Sequence, residues 1–151
     1  MRRPEEQLHR SLVAYLRMAL PKPWLVLHVP NGGGRSKAEA GILKAMGVLA
    51  GMPDLLVIGP QPFMRPHWDA PIGEIPRGER FPQIIALELK APPKPLKRGG
   101  VSQAKPRLSD AQRDVIAQLA ACGIPTLVID NMDEAIRALT QLGVPLKGRQ
   151  P

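Results

Sequence analysis

The chain has 151 residues, of which 44% are hydrophobic and 23% charged, as in an ordinary globular domain with its own core. Its formal net charge of +8 favours a polyanionic partner, either nucleic acid or an anionic membrane surface, although a basic surface can also serve solubility alone. Because it has one cysteine and no apolar run of ~18 residues, the sequence excludes an intramolecular disulfide and a membrane-spanning helix, and we expect a soluble cytoplasmic protein.

Hydrophobic periodicity and helix-end signals predict eight secondary-structure elements. Ser36 and Ser109 each begin a helix with a capping-box pattern, and either Asp130 or Asn131 caps the last helix. The predicted elements are, in chain order, a helix over 5–19, a strand over 24–29, a short helix to about Met46 before Gly47, a strand over 54–58, a strand over 84–90, a helix to about Ala121 before Gly123, a strand over 126–130 and a helix over 133–142.

Three stretches without periodicity are predicted to be irregular. Residues 59–82 carry six prolines and are expected to form a long loop insert or a loose hairpin tip. Residues 91–107 are rich in proline, glycine and basic residues and contain no acid. We expect residues 146–151 to be a frayed tail, so that a single domain spans residues 1–145.

The order of the elements predicts an α/β fold. Strands 54–58 and 84–90 are consecutive and are expected to pair as an antiparallel hairpin, whereas the helix before strand 126–130 suggests a parallel crossover. The result is a mixed four-stranded sheet flanked by helices, in the order α-β-α-β-β-α-β-α.

Two carboxylates are predicted to face each other across this hairpin. Glu88 and Lys90 share one face of their strand because side chains alternate. The simplest register pairs Ile58 with Ile84, and that register places Asp54 opposite Glu88. Like charges in this arrangement repel, and a divalent cation such as Mg²⁺ would offset the repulsion. Lys90 could orient or deprotonate an attacking water or stabilise developing negative charge.

The alternative interpretation is a surface hairpin with an ordinary ion pair, worth under ~1 kcal/mol. Glu-x-Lys strings are common, so Glu88-Leu89-Lys90 alone is weak support for a site. Pro53-Asp54 at the start of one strand, followed by Glu-x-Lys at the end of the next, is a more specific combination.

Pro53-Asp54 followed by Glu88-Leu89-Lys90 resembles the PD-(D/E)xK nuclease signature. A wider set of short motifs, spread over roughly residues 5–142, resembles the VRR-NUC domain in the compact stand-alone form found in phages and bacteria. These motifs are His28-Val29-Pro30-Asn31-Gly32-Gly33, Arg35, Gly47, Gly51-Met52-Pro53-Asp54-Leu55, Glu88-Leu89-Lys90, Leu108-Ser109 with Gln112, and Gly123-Ile124-Pro125.

This resemblance implies a restriction-endonuclease-like core and a metal-dependent DNA endonuclease that uses Mg²⁺ or Mn²⁺ and could select junctions or flaps. Asp54 and Glu88, with the backbone carbonyl of Leu89, would hold the metal. Lys90 would be the catalytic lysine, and Gln112 would complete the site. The resemblance also implies a homodimer acting in a bacterium or a phage-infected host cell.

Gln112 has a second interpretation. It shares a helical face with Val115, Ile116 and Leu119, where a polar side chain needs a reason such as a place in the site. In the capping box Ser109-x-x-Gln112, however, the glutamine would simply bond back to the helix cap.

The family also places a metal-site glutamate on the first helix, where Glu5 and Glu6 are both candidates. Glu5 shares a face with the leucines that should pack on the sheet, and we prefer it as a catalytic and metal-binding residue. The alternative is that both are first-turn acids that the helix dipole favours.

Several residues are candidates for contact with DNA. The basic loop 91–107 could follow a phosphate backbone, although a solvated linker would have the same composition. His28 and Asn31 follow the first strand, and Arg35 borders a glycine-rich turn. The candidates in the loop are Lys94, Lys97, Arg98, Lys105 and Arg107.

Two other functions compete with a nuclease. A module that binds DNA structures without cutting would use the +8 charge equally well but would not need Asp54 opposite Glu88. A nuclease-fold scaffold in a phage complex, with activity supplied by a partner, is the third hypothesis.

Overall fold

A computed structural model describes residues 4–30, 36–60, 82–93 and 107–148. All eight predicted elements are present, with ends that lie no more than two residues from the prediction. The elements are α1 (Pro4–Ala19), β1 (Leu25–His28), α2 (Lys37–Ala45), β2 (Leu55–Pro60), β3 (Pro82–Leu89), α3 (Asp110–Ala121), β4 (Thr126–Ile129) and α4 (Met132–Gln141).

The four strands form one mixed sheet in the order β1-β2-β3-β4. β2 pairs antiparallel with both β1 and β3, and β3 pairs parallel with β4. Ile58 lies opposite Ile84, so the predicted hairpin register is confirmed. The predicted α/β architecture, a four-stranded mixed sheet flanked by helices, is therefore correct.

Local sequence signals explain where the helices begin and end. Ser36 and Ser109 each form a complete capping box, and Asn131, rather than Asp130, caps α4. Gly47 and Gly123 follow α2 and α3 with φ of 91° and 76°, a left-handed conformation that favours glycine after a helix.

The hydrophobic core lies on one face of the sheet. Alternate residues of β2 and β3 are fully buried there, including Leu55, Leu87 and Leu89, and they pack with Leu12 of α1 and Leu139 of α4. Burying each such leucine stabilises the fold by about 1.5–3 kcal/mol. The side chains of Glu88 and Lys90 therefore project from the opposite face of β3.

Two predicted boundaries are wrong. Residue 146 does not begin a frayed tail, because Leu146 is buried and the backbone N–H of Lys147 donates to the carbonyl of Ala19 at 2.8 Å; residues 149–151 lie outside the described part. The proline-rich insert was predicted to span 59–82, but β2 continues to Pro60 and β3 begins at Pro82; residues 61–81 lie outside the described part. No helix within the described residues has the length and apolar character needed to cross a membrane.

Candidate active site

Asp54 is held from both sides at the start of β2. Its backbone carbonyl accepts a hydrogen bond from the N–H of Val29 at 2.9 Å. Its carboxylate Oδ2 accepts one from the N–H of Leu89 at 2.8 Å. The side chain of Asp54 thus replaces a backbone acceptor at the end of the β2–β3 ladder, next to Glu88.

Pro53 explains why the ladder ends there. Continuing the β2–β3 register places residue 53 opposite Leu89, at a position where antiparallel strands exchange two hydrogen bonds. Proline has no N–H to donate, so Pro53 cannot pair with the carbonyl of Leu89. Because the N–H and C=O of one strand residue point to the same edge, that carbonyl points toward the side on which Asp54 lies.

Glu88, Lys90 and Gln112 form a closed hydrogen-bonded group on the face opposite the core. The Glu88 side chain is 3% exposed, and the Lys90 Nζ lies 2.9 Å from its Oε1. Gln112 Nε2 donates to the same oxygen, while Gln112 Oε1 accepts from the Lys90 Nζ at 3.1 Å. Both donors reach Oε1, so neither occupies the second carboxylate oxygen.

Gln112 both closes the capping box of α3 and contacts Glu88 and Lys90. Its Oε1 also accepts from the backbone N–H of Ser109 at 2.9 Å, and its own N–H donates to the Ser109 Oγ at 3.2 Å. The capping box fixes the side chain at the first turn of α3, where it contacts Glu88 and Lys90. The two interpretations are therefore compatible.

Gly51 allows α3 to approach Asp54. Its φ is +87°, and a Cβ at this position would lie 2.8 Å from the backbone N of Gln112 and closer still to the carbonyl of Ala111. Only glycine fits both constraints. The turn that leads into Asp54 thus packs directly on the first turn of α3, which brings Asp54 and Gln112 into one region.

The environment of Glu88 disfavours its charged form. Burial raises the pKa of Glu88, and the negative charges of Asp54 and Glu5 raise it further, while the hydrogen bond and charge of Lys90 oppose the shift. A buried carboxylate with two acidic neighbours is a favourable place for an additional cation.

The two acids of the first turn of α1 have different surroundings. Glu6 forms an i,i+4 ion pair with Arg10 at 2.8 Å. The charge of Glu5 reaches Glu88 and contributes to its raised pKa. Glu5 is thus the acid of this turn that acts electrostatically on the candidate site.

His9 is a neighbour of the site that sequence reasoning missed. Its ring lies edge-on to the ring of His28, with centroids 4.7 Å apart and planes at 66°. His28 Nδ1 lies 3.1 Å from the carbonyl oxygen of Asp54. Burial lowers the pKa of His9, as does the nearby His28, and the charge of Asp54 opposes them. The available signal was the Glu5–His9 spacing of one helical turn.

Two of the eight predicted DNA contacts, Arg107 and His28, lie within the described residues. Arg107 is exposed and lines a cavity of about 380 Å³ before α3 together with Arg113, and His28 is exposed at the end of β1. The remaining candidates lie outside the described residues: Asn31, Arg35, Lys94, Lys97, Arg98 and Lys105.

Within the described ranges, no group of three or more His, Cys, Asp or Glu side chains could hold a metal ion. A metal at this end of the sheet would need backbone carbonyl or water ligands beside the carboxylates of Asp54 and Glu88. No family model matches the chain, and neither the curated proteins nor the solved structures that were searched contain a match.

Proposed function

We propose that the chain is a Mg²⁺- or Mn²⁺-dependent DNA endonuclease of the VRR-NUC type, with a restriction-endonuclease-like core. The observation that carries the proposal is the buried Glu88, which is bonded to Lys90 and Gln112 beside an Asp54 anchored on the next strand. An ordinary surface hairpin would leave Glu88 and Lys90 in solvent and would not need Gln112.

The residues fit a hard divalent cation. Asp54 and Glu88 supply carboxylate oxygens, and Pro53 leaves the Leu89 carbonyl without a ladder donor, so these three groups would hold the metal. Mg²⁺ binds few protein oxygens and retains several waters, which agrees with a small ligand set. When bound, such an ion lowers the pKa of a water and stabilises charge on a phosphoryl oxygen. Glu5 adds negative charge at the edge.

Lys90 is the proposed catalytic residue. Glu88 and Gln112 hold its ammonium group at 2.9 and 3.1 Å, so its position is defined before any substrate arrives. A fixed positive charge stabilises the negative charge that develops on a phosphate oxygen, without reorganisation during the reaction. Gln112 would then act by orienting Lys90 and Glu88.

The partner that we propose is DNA, because the net charge of +8 favours a polyanion and Arg107 is exposed just before α3, the helix that carries Gln112. The proposed homodimer would bring two sites to two strands, as cleavage of a junction requires. Sedimentation of the purified protein measures the oligomeric state directly.

The test is cleavage of linear, flapped, branched and supercoiled DNA with Mg²⁺ or Mn²⁺ by the wild type, Asp54→Ala and Lys90→Ala. Lys44→Ala, which removes an exposed lysine from α2, is the matched control. We expect cleavage by the wild type and the control, and a loss of about 10²- to 10³-fold in Lys90→Ala. A wild type that leaves every substrate intact would refute the proposal.

Calorimetric titration with Mn²⁺ separates a nuclease from a module that only binds DNA. The nuclease proposal expects binding heat in the wild type that Asp54→Ala abolishes. Equal heats in both proteins, together with intact DNA affinity, would favour the binding module.

A further inference from the structure

His9 and His28 connect three elements at the edge of the candidate site. His28 is the last residue of β1, His9 lies on α1, and Asp54 precedes β2. The contacts run in sequence from the ring of His9 to the ring of His28 and then to the backbone of Asp54. Neither ring is used by the proposed chemistry.

Asp54 needs such support because Pro53 interrupts the ladder beside it. The Asp54 carbonyl has two lone pairs, and its two neighbours are the N–H of Val29 at 2.9 Å and the Nδ1 of His28 at 3.1 Å. Because a carbonyl only accepts, the contact with His28 is a hydrogen bond when Nδ1 carries the proton. The neutral tautomer that carries its proton on Nδ1 therefore anchors the backbone of Asp54 to β1.

His28 is exposed at the end of an edge strand, so burial does not fix the direction of its ring. The edge-on contact with His9, at 4.7 Å and 66°, has the geometry that aromatic pairs prefer. His9 is half-buried on α1 and is itself held by the helix.

We propose that His28 is a positioning residue that orients Asp54 through its Nδ1–H, and that His9 holds the His28 ring in the required direction. The inference rests on the proposed function, since Asp54 is taken as a metal ligand. Neither histidine touches the reacting atoms in this role.

Matched substitutions isolate the hydrogen bond. Asparagine places its amide nitrogen near the position of Nδ1, glutamine places it near Nε2, and phenylalanine keeps only the ring. We expect His28→Phe and His28→Gln to bind Mn²⁺ about 3- to 10-fold more weakly, and His28→Asn to stay near the wild type. At the second position, His9→Phe keeps the edge contact and should bind normally, whereas His9→Ala should resemble His28→Phe.

DNA affinity measured with EDTA present provides the counter-test, with thermal melts confirming that each variant folds. The positioning role replaces the DNA contact that the sequence suggested for His28, so we expect DNA affinity to be unchanged in all of these variants. A fall in DNA affinity with unchanged Mn²⁺ affinity would overturn the positioning role and assign both rings to substrate contact.

A long-range ¹H–¹⁵N NMR spectrum tests the inference without metal or DNA. At about pH 8.5, where imidazoles are largely neutral, we expect His28 to be the tautomer with a protonated Nδ1, and His9→Ala to reduce that population. A wild-type His28 protonated at Nε2 would refute the inference even if the protein cleaves DNA. A wild type that binds no Mn²⁺ and cuts no DNA would refute the proposed function, while this spectrum would still decide the orientation of His28.

Discussion

Comparing Gln112→Ala with Ser109→Ala separates the structural role of Gln112 from its role in the proposed site. Both substitutions perturb the same helix cap, but Ser109→Ala leaves the site itself unchanged. Ser109→Ala removes the Oγ that accepts from the Gln112 N–H. Gln112→Ala removes the Oε1 that accepts from the Ser109 N–H. Each variant thus loses one half of the capping box, and only Gln112→Ala also loses the contacts with Glu88 and Lys90.

The expected magnitudes follow from these contacts. Loss of a helix cap costs about 1 kcal/mol, so Ser109→Ala should lower the melting temperature by about 2–4 °C in a chain of this size. Gln112→Ala also loses a hydrogen bond to the buried Glu88 carboxylate, and such bonds to charged groups contribute about 1.5–3 kcal/mol. We expect a total loss of about 2–4 kcal/mol of unfolding free energy in Gln112→Ala.

Cleavage should separate the two variants further. Ser109→Ala leaves the side chain of Gln112 in place, and its rate should stay within about threefold of the wild type after correction for folded protein. Gln112→Ala removes one of the two groups that hold the ammonium group of Lys90 and leaves only Glu88. Displacement of a catalytic group by about 1 Å can cost 10²-fold.

Urea denaturation gives the unfolding free energies, and single-turnover cleavage of whichever DNA the wild type cuts gives the rates. If both variants lose equal stability and equal activity, Gln112 is a capping residue alone and its contacts with Glu88 and Lys90 have no functional consequence. A large stability difference with equal rates would confirm the hydrogen bond to Glu88 but refute the orientation of Lys90.

Three further predictions concern individual residues. Gly51→Ala should separate the turn from α3 and lower both the melting temperature and the Mn²⁺ affinity. Gly47→Ala, in open space at a φ of 91°, should lower only the melting temperature. Glu88→Gln should abolish Mn²⁺ binding. Because the folded pKa of Glu88 is raised, ionisation of Glu88 destabilises the metal-free wild type, so the stability of Glu88→Gln relative to the wild type should grow as pH rises above about 4.5. A stability difference that does not change with pH would contradict the shift. Because the folded pKa of His9 is lowered, the stability that its neutral ring contributes is present above about pH 6.5 and is lost as pH falls through the folded pKa. The melting temperature of His9→Phe should therefore change less with pH between about pH 5 and 7 than that of the wild type.

The sequence was sufficient for the sheet and for one pair of site residues. Alternation along β3 placed Glu88 and Lys90 on one face. The simplest register, which pairs Ile58 with Ile84, is the one that the structure has, and a slip by one residue would turn the buried residues to the other face. Both inferences depend on patterns within single strands or between consecutive ones.

The contacts between distant segments were not predictable in the same way. Nothing near Gly51 in the chain shows that its missing Cβ makes room for α3, because Ala111 approaches it only after the crossover is formed. In the sequence, His9 has the pattern of a polar residue on an amphipathic helix. Its contact with His28 forms only when β1 packs beside α1. The packing of Leu146 depends likewise on the tertiary fold, and its position near the end of the sequence wrongly suggested fraying.

Pro53 gives the Pro-Asp pair a physical interpretation that links the sequence to the geometry of the proposed site. A residue with an N–H at position 53 would extend the ladder and donate to the Leu89 carbonyl, which would make that oxygen a weaker ligand for the proposed metal. Proline prevents that bond, and the adjacent Asp54 then accepts the hydrogen bond of the Leu89 N–H at 2.8 Å. One interruption of the hairpin thus leaves an acceptor for a cation and positions a carboxylate beside it. The proline therefore contributes to the proposed site because it has no N–H to donate to the Leu89 carbonyl.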